Sequence, residues 1–447
     1  MTDRYRQKLT TAAEAVKCVR SGDKVYVGTF SSFAYELMDA LYDRAEELED
    51  VTLMCAMSIT PCRMFDTDWN RWAEEHDRIG RLPFKVETFF LGTGERNAHR
   101  KHGMPLDFSS IHLSQIDIWS SKIGVPDVCF FQVSRPDADG NMSYSSSGVC
   151  DHKYFAMNCR REIVLEANSG SPYVYGEDNL ISADEAWAII ETDDNAPVIP
   201  EDEPDEVSRE VASNVVAEIP DGATIQLGIG KMGTAIGQGL MQRNDLGIFT
   251  EMFTTSMYRL IKNGNVTNRC KGYLDGKSVF AFSAGIQEMY DHMDYNPEYY
   301  AAPWPLVNDP VHIGMNRRMM SVNSAMAIDL FGQVAAEGIG FRQQSAVGGQ
   351  MDYVKGAQMS EGGKSFIAIN SSFMSKGERK SKIVLTFPPG TAITTPRNEV
   401  QYVATEYGCI NLKNLNMADR VRAMISLAHP DFRDELTQQA KDLALIR

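Results

Sequence analysis

Residues 207–240, VSREVASNVVAEIPDGATIQLGIGKMGTAIGQGL, spell one complete α/β unit. An amphipathic helix comes first, then a turn at Gly222 and a short β-branched run, TIQLG. A small-residue loop after Gly228 then opens a second helix. Residues 11–41, TAAEAVKCVRSGDKVYVGTFSSFAYELMDAL, carry the same features in the same order. The offset is 200 residues throughout: Val16 and Val19 against Val216 and Ile219, Gly22 against Gly222, Val25 against Ile225, Gly28 against Gly228. Any two strand–glycine–helix units look broadly alike, but a fixed order at constant spacing predicts a true internal repeat.

Outward from these units, apolar runs alternate with helical patterns. DVCFFQVS, REIVLEAN, SVFAFSAG, KSFIAINSS and SKIVLTFP predict strands, while SADEAWAIIE and MADRVRAMISLA predict helices. The fold class is therefore α/β, with two similar open α/β domains and largely parallel sheets. The stretch ETDDNAPVIPEDEPDEVSRE, 191–210, is rich in Asp, Glu and Pro and self-repelling, which predicts a linker. That places one domain at residues 1–195 and the second at 205–447.

Composition bounds the partners. The chain has 447 residues, 43% hydrophobic and 23% charged, which is ordinary for a globular protein. A net charge of −16 argues against nucleic acid, because phosphate binding draws on clustered Lys and Arg. The first residues, MTDRYRQKLTT, contain no apolar signal region, and no run is long enough to span a bilayer, so the expectation is a cytoplasmic protein with no membrane partner. The eight cysteines form no C-x-x-C pair and several lie in apolar runs, which predicts reduced core thiols. His99 and His102 have H-x-x-H spacing, but their segment ERNAHRKHGMP is basic and polar, so it is expected to be a loop and no metal site is predicted.

The chemistry centres on NDLGIFTEMFTTSM, residues 244–257, which predicts a strand running into a turn at Glu251. A carboxylate between Thr250 and the apolar pair Met252-Phe253 loses water and has no cation beside it in sequence. It requires a partner, a shifted pKa or a catalytic role. In the repeat, VTLMCAMS at 51–58 aligns with GIFTEMFT at an offset near 196, which sets Cys55 against Glu251. Only the second half would then carry the acid.

Three further turns join this one in the second half. QLGIGKMG, 226–233, follows a strand and opens a helix, so its backbone N–H groups suit an anion. It lacks the Lys-Ser/Thr of a P-loop. FRQQSAVGGQMDYVKGAQMSEGGK, 341–364, brings two Gly-Gly pairs together with Ser345, Gln350 and Lys355, as an oxyanion stabiliser requires. MSKGERKSK, 374–382, is a basic cluster that suits either a solvated loop or a phosphate anchor. No G-x-S-x-G elbow and no Cys–His pairing offers a rival catalyst, although Glu251 as an ordinary buried acid stays open.

The second half resembles the acetyl-CoA hydrolase/transferase family, in its butyryl-CoA:acetate and 4-hydroxybutyrate CoA-transferase branch. The stretches that carry the resemblance are QLGIG, DLGIFTEMF, LVNDPVHIGMNRRMMSVNSAMAIDLFGQV, SAVGGQMDYVKGAQMSEGGKS, VQYVATEYG and LAHPDFRDEL. The first half matches more loosely through SGDKVYVG, MPLDFSSIHL, SRPDADGNMSYSSSG and VLEANSGSPYVYG. The resemblance implies the two-domain CoA-transferase fold and makes Glu251 the nucleophile. It implies CoA contacts at Gln226, Leu227, Gly228, Ile229, Gly230, Met326, Gly348, Gly349 and Lys376. Three departures stand out: Phe249 where family members usually have His, Gly233 where they have Pro, and Gly285-Ile286 where they have Gly-Thr. These put the acyl group in question and leave the chemistry in place.

The activity implied is CoA transfer between a short-chain acyl-CoA and a free carboxylate, through a glutamyl–CoA thioester on Glu251. No prosthetic group or metal is implied, CoA being a substrate, and the expected assembly is a homo-oligomer, dimer or tetramer. Three alternatives stay open. They are an acyl-CoA hydrolase, a transferase for a short dicarboxylate such as itaconate or succinate, and a non-catalytic acyl-CoA binding protein.

Overall fold

The 207–240 stretch folds in the order that its sequence predicts. In a computed structural model, which describes residues 2–59, 61–122 and 124–447, the chain divides into two units. The first holds residues 1–199 and 279–306, and the second holds residues 200–278 and 307–447. The return of 279–306 to the first unit has no counterpart in the sequence pattern.

The main sheet of the first unit has seven strands: β1 (Lys24–Thr29), β2 (Val51–Ala56), β3 (Phe84–Thr88), β4 (Leu106–Phe108), β5 (Val128–Val133), β6 (Glu162–Gly170) and β7 (Ala188–Asn195). Their spatial order is β4-β3-β2-β1-β5-β6-β7, and every pairing is parallel. Strands covered on both faces read as continuous apolar runs, and all six residues of β2 and of β5 are buried. Between β3 and β4 runs helix α1 (Thr93–His102).

In the second unit, helix α2 (Glu206–Val216) leads into strand β8 (Thr224–Leu227) and helix α3 (Gly230–Gly239). Strand β9 (Gly247–Thr254), helix α4 (Pro310–Met315), strand β10 (Met319–Ser324) and helix α5 (Gln350–Met359) follow. Strands β11 (Lys364–Ala368), β12 (Tyr402–Thr405) and β13 (Gly408–Asn411) lie further along the chain. These strands lie in the order β9-β8-β10-β11-β12-β13. All pair in parallel except the final β12–β13 hairpin.

The two units share a topology. β1 lies between β2 and β5, as β8 lies between β9 and β10. The registers refine the sequence alignment. Val25 pairs with Leu53, while Ile225 pairs with Ile248. Leu53 and Ile248 are thus equivalent, and a bulge between Tyr26 and Gly28 then sets Cys55 beside Gly28.

Three local expectations are corrected. SADEAWAIIE is not a helix: after a short turn it becomes β7, which pairs in parallel with β6. Its alanines favour a helix locally, but the open edge of β6 is satisfied only by a strand. The same strand runs to Asn195, so the start of the acidic stretch read as linker is sheet. The segment ERNAHRKH is not a loop but most of α1, which ends at Gly103 with a left-handed φ of 75°. His99 Nδ1 donates to the Met104 carbonyl at 3.0 Å, closing that helix end rather than pairing with His102. Among the described residues no disulfide forms; Cys270 is exposed, and Cys18, Cys159 and Cys409 are half-buried rather than core. No helix among them is long and apolar enough to cross a membrane.

Candidate active site

Glu251 sits inside β9, not in a turn beyond it. The strand continues through Thr254 because Phe249 and Phe253 are fully buried and Met252 nearly so, which ties both sides of the acid into the core. Glu251 itself is half-buried. Asn308 Nδ2 donates to its Oε2 at 2.6 Å, and the Gly349 backbone N–H donates to the same carboxylate. Burial outweighs both donors and pushes the carboxyl up to about 7.

Each donor is held by its own element. Asn308 is fully buried and immediately precedes Asp309, whose side chain accepts from Val311 N–H to cap α4, with Pro310 opening the helix. The Tyr353 hydroxyl donates to the Val307 carbonyl at 3.0 Å, which fixes the backbone just before Asn308. Gly349 is the N-cap of α5 and follows Gly348, which has a left-handed φ of 60°. A side-chain carbon at position 349 would stand 1.8 Å from Glu251 Oε2 and 2.1 Å from Asn308 Nδ2. Only glycine lets the N–H of a helix start approach the carboxylate this closely.

The remaining candidate residues lie at the carboxyl ends of neighbouring parallel strands, where open α/β sheets bind ligands. Gln226 and Leu227 end β8, and Gly228 and Ile229 lead to Gly230 at the start of α3. Gln226 is buried, and its Oε1 accepts from Asn323 Nδ2 on β10 at 3.5 Å. Met326 follows β10 by two residues, and its N–H donates to the Ala335 carbonyl. Lys376 lies beyond β11, exposed, at the tip of a hairpin in which Ser375 pairs with Glu378. With Gly377 it forms a two-residue turn in which both φ angles are positive, 50° and 82°. Asn308 and Tyr353 were not singled out from sequence; the Asn-Asp-Pro before α4 reads as a helix cap and says nothing of Glu251.

Of the departures, Phe249 is buried beside the Tyr273 ring, with the Lys271 amine 6.0 Å from its centre. Lys271 is itself buried, donates to the carbonyls of Ile248 and Lys277, and is lowered to about 7 by desolvation. Gly233 packs so closely that a Cβ would stand 1.9 Å from the Gly228 carbonyl oxygen.

Residues 1–200 match the acetyl-CoA hydrolase/transferase N-terminal domain, and residues 285–440 match the C-terminal domain. The chain belongs to the acetyl-CoA hydrolase/transferase family. It is 32% identical to the butyryl-CoA:acetate CoA-transferase of Anaerostipes caccae, across 100% of this chain and 98% of that one. It is also 32% identical to the 4-hydroxybutyrate coenzyme A transferase of Clostridium kluyveri, across 98% of each chain. The crystal structure of RipA from Yersinia pestis superposes with a TM-score of 0.89 at 32% identity, covering 99% of both chains. The acetyl-CoA hydrolase/transferase relationship thus spans both units.

Proposed function

We propose that this CoA-transferase exchanges CoA between a short-chain acyl-CoA, such as butyryl- or 4-hydroxybutyryl-CoA, and a free carboxylate such as acetate, with Glu251 as the nucleophile. The carrying observation is the Glu251 carboxylate itself, desolvated yet oriented by two donors. A carboxylate shifted to about 7 is still substantially ionised near neutral pH and is more basic than an ordinary one.

In the proposed reaction, a Glu251 oxygen bonds to the thioester carbon and the carbonyl electrons move onto the acyl oxygen. Collapse breaks the carbon–sulfur bond, so CoA leaves as thiolate and an acyl–glutamyl anhydride remains. The thiolate then adds to the glutamyl carbon, the free acid departs as carboxylate, and a glutamyl–CoA thioester is left. An acceptor carboxylate runs both steps in reverse. Donor, enzyme and acceptor are all carboxylates, so no intermediate is a deep trap. Asn308 Nδ2 and the Gly349 N–H, already on the Glu251 carboxylate, suit the charge that gathers there when thiolate adds. The buried Phe249, Met252 and Phe253 favour exclusion of water, which would hydrolyse both intermediates. CoA is assigned to the loop Gln226–Gly230, to Met326, Gly348 and Gly349, and to Lys376.

The test is to add butyryl-CoA without an acceptor acid. The enzyme should gain a CoA thioester that borohydride reduces and hydroxylamine traps, on the peptide containing Glu251. Labelling of another residue would overturn the assignment. Free butyrate released continuously without acceptor would indicate a hydrolase instead.

A further inference from the structure

The second unit has a cavity of about 430 Å³ at the amino ends of β8, β10 and β11, the far end of the sheet from the candidate CoA loop. Arg243, Arg318 and Lys364 line it, with Glu218 and Asp221 as the acids. A cavity of this size suits a small molecule.

The first unit has the equivalent place, with its charges paired. Arg44 there donates to the carbonyls of Val16 and Val19, and Arg243 donates to those of Val216 and Ile219, 200 residues on. Arg161 donates to the Cys18 carbonyl and Lys364 to the Glu218 carbonyl, at the same offset. In both units these cations hold the last carbonyls of the helix before the central strand. The acids then differ. Asp23 pairs with Arg161, but its counterpart is Ala223. Lys364 pairs instead with Glu218 at 2.7 Å. The second unit adds Arg318, which donates through Nη1 to the Asp221 carbonyl at 2.9 Å. The Asp221 carboxylate accepts from the Asn244 N–H at 2.8 Å. Neither Arg243 nor Arg318 meets a carboxylate among the described residues. Nor do Arg243 Nη1, Arg318 Nε and Arg318 Nη2 have a hydrogen-bond partner among them. Arg318 also holds a left-handed φ of 48°, which a residue with a Cβ adopts at a cost.

We propose that this cavity binds a small phosphorylated anion between the Arg243 and Arg318 guanidiniums. Guanidinium N–H edges match phosphate oxygens in spacing and direction. A phosphate ester brings nearly two charges and three acceptor oxygens, which both arginines can meet at once, whereas a carboxylate brings one charge and two oxygens. Nothing in this binding depends on the role of Glu251.

The experiment is calorimetric titration of pyrophosphate into the full-length protein saturated with free CoA, so that the groups that hold CoA phosphates are already occupied. Wild type should bind at one site with Kd below about 1 mM. Arg318→Gly removes the cation and leaves a residue that adopts the left-handed φ freely. Its affinity should fall about tenfold or more, as loss of a charge-assisted hydrogen bond implies. Arg318→Asn also tolerates that φ and keeps a donor for the Asp221 carbonyl, so it should show the same loss and decides the matter should the glycine variant fold poorly. Succinate should bind wild type at least about tenfold more weakly than pyrophosphate, and equal or tighter binding would overturn the assignment to phosphate. No uptake of pyrophosphate by wild type up to about 10 mM, or binding by the variants within about threefold of wild type, would overturn the site itself.

Discussion

Glu251→Gln should yield an inactive protein that is more stable than wild type at neutral to alkaline pH. The carboxyl is raised from an ordinary 4.5 to about 7 by burial, so the folded state holds its proton more tightly than the unfolded chain does. Stability at this site is therefore fully present below pH 4.5 and is lost as pH rises through about 7. A tenfold change in proton affinity is worth about 1.4 kcal/mol, so the ionised wild type gives up about 3 kcal/mol by pH 8. Glutamine keeps the shape and an acceptor oxygen for Asn308 and Gly349 but carries no charge to desolvate. For a unit of about 200 residues, about 3 kcal/mol corresponds to a rise in melting temperature of roughly 6–12 °C. Melting curves of both proteins, recorded from about pH 5 to about pH 8.5, provide the assay, because the titration spans that range. The advantage of the variant should be small at the acid end and grow through neutrality. A difference constant across that range, or a variant less stable at pH 8, would show that burial does not strain this carboxylate and would remove the physical basis for its reactivity.

Two further perturbations act on the same carboxylate. Gly349→Ala places a carbon 1.8 Å from Glu251 Oε2, so the carboxylate must swing away; kcat should fall about 10²-fold or more with KM for acyl-CoA changed less, and a loss below tenfold would contradict the geometry. Asn308→Ala removes a donor that stabilises the ionised form, so the pH at which transfer reaches half its maximum should move upward by about one pH unit; an unchanged or acid-shifted profile would mean that Asn308 does not set the charge state of Glu251.

Much of the fold was legible because it is written locally. The strand–glycine–helix units at 11–41 and 207–240 appear as paired parallel-sheet units with the same strand order. Where local propensity and tertiary pairing disagree, tertiary pairing prevails. SADEAWAIIE has helical composition but lies where β6 offers unpaired N–H and C=O groups, so it becomes β7. ERNAHRKH departs in the other direction. Its charges suggest a loop, yet Arg, Lys and Glu are good helix formers, and Gly103 supplies the stop.

The sequence by itself determined the identity of the acid. An ionisable side chain in the apolar run GIFTEMF has nowhere to hide, because alternation along a strand and the loss of water are properties of the run itself. Only the tertiary structure decided what meets that acid. Asn308 is 57 residues from Glu251, and Gly349 lies further still along the chain. Neither spacing carries a signal, since both approaches depend on how α4, α5 and β9 pack. The rise of the carboxyl to about 7 belongs to the same level, because burial sets it and no stretch of sequence contains its own burial.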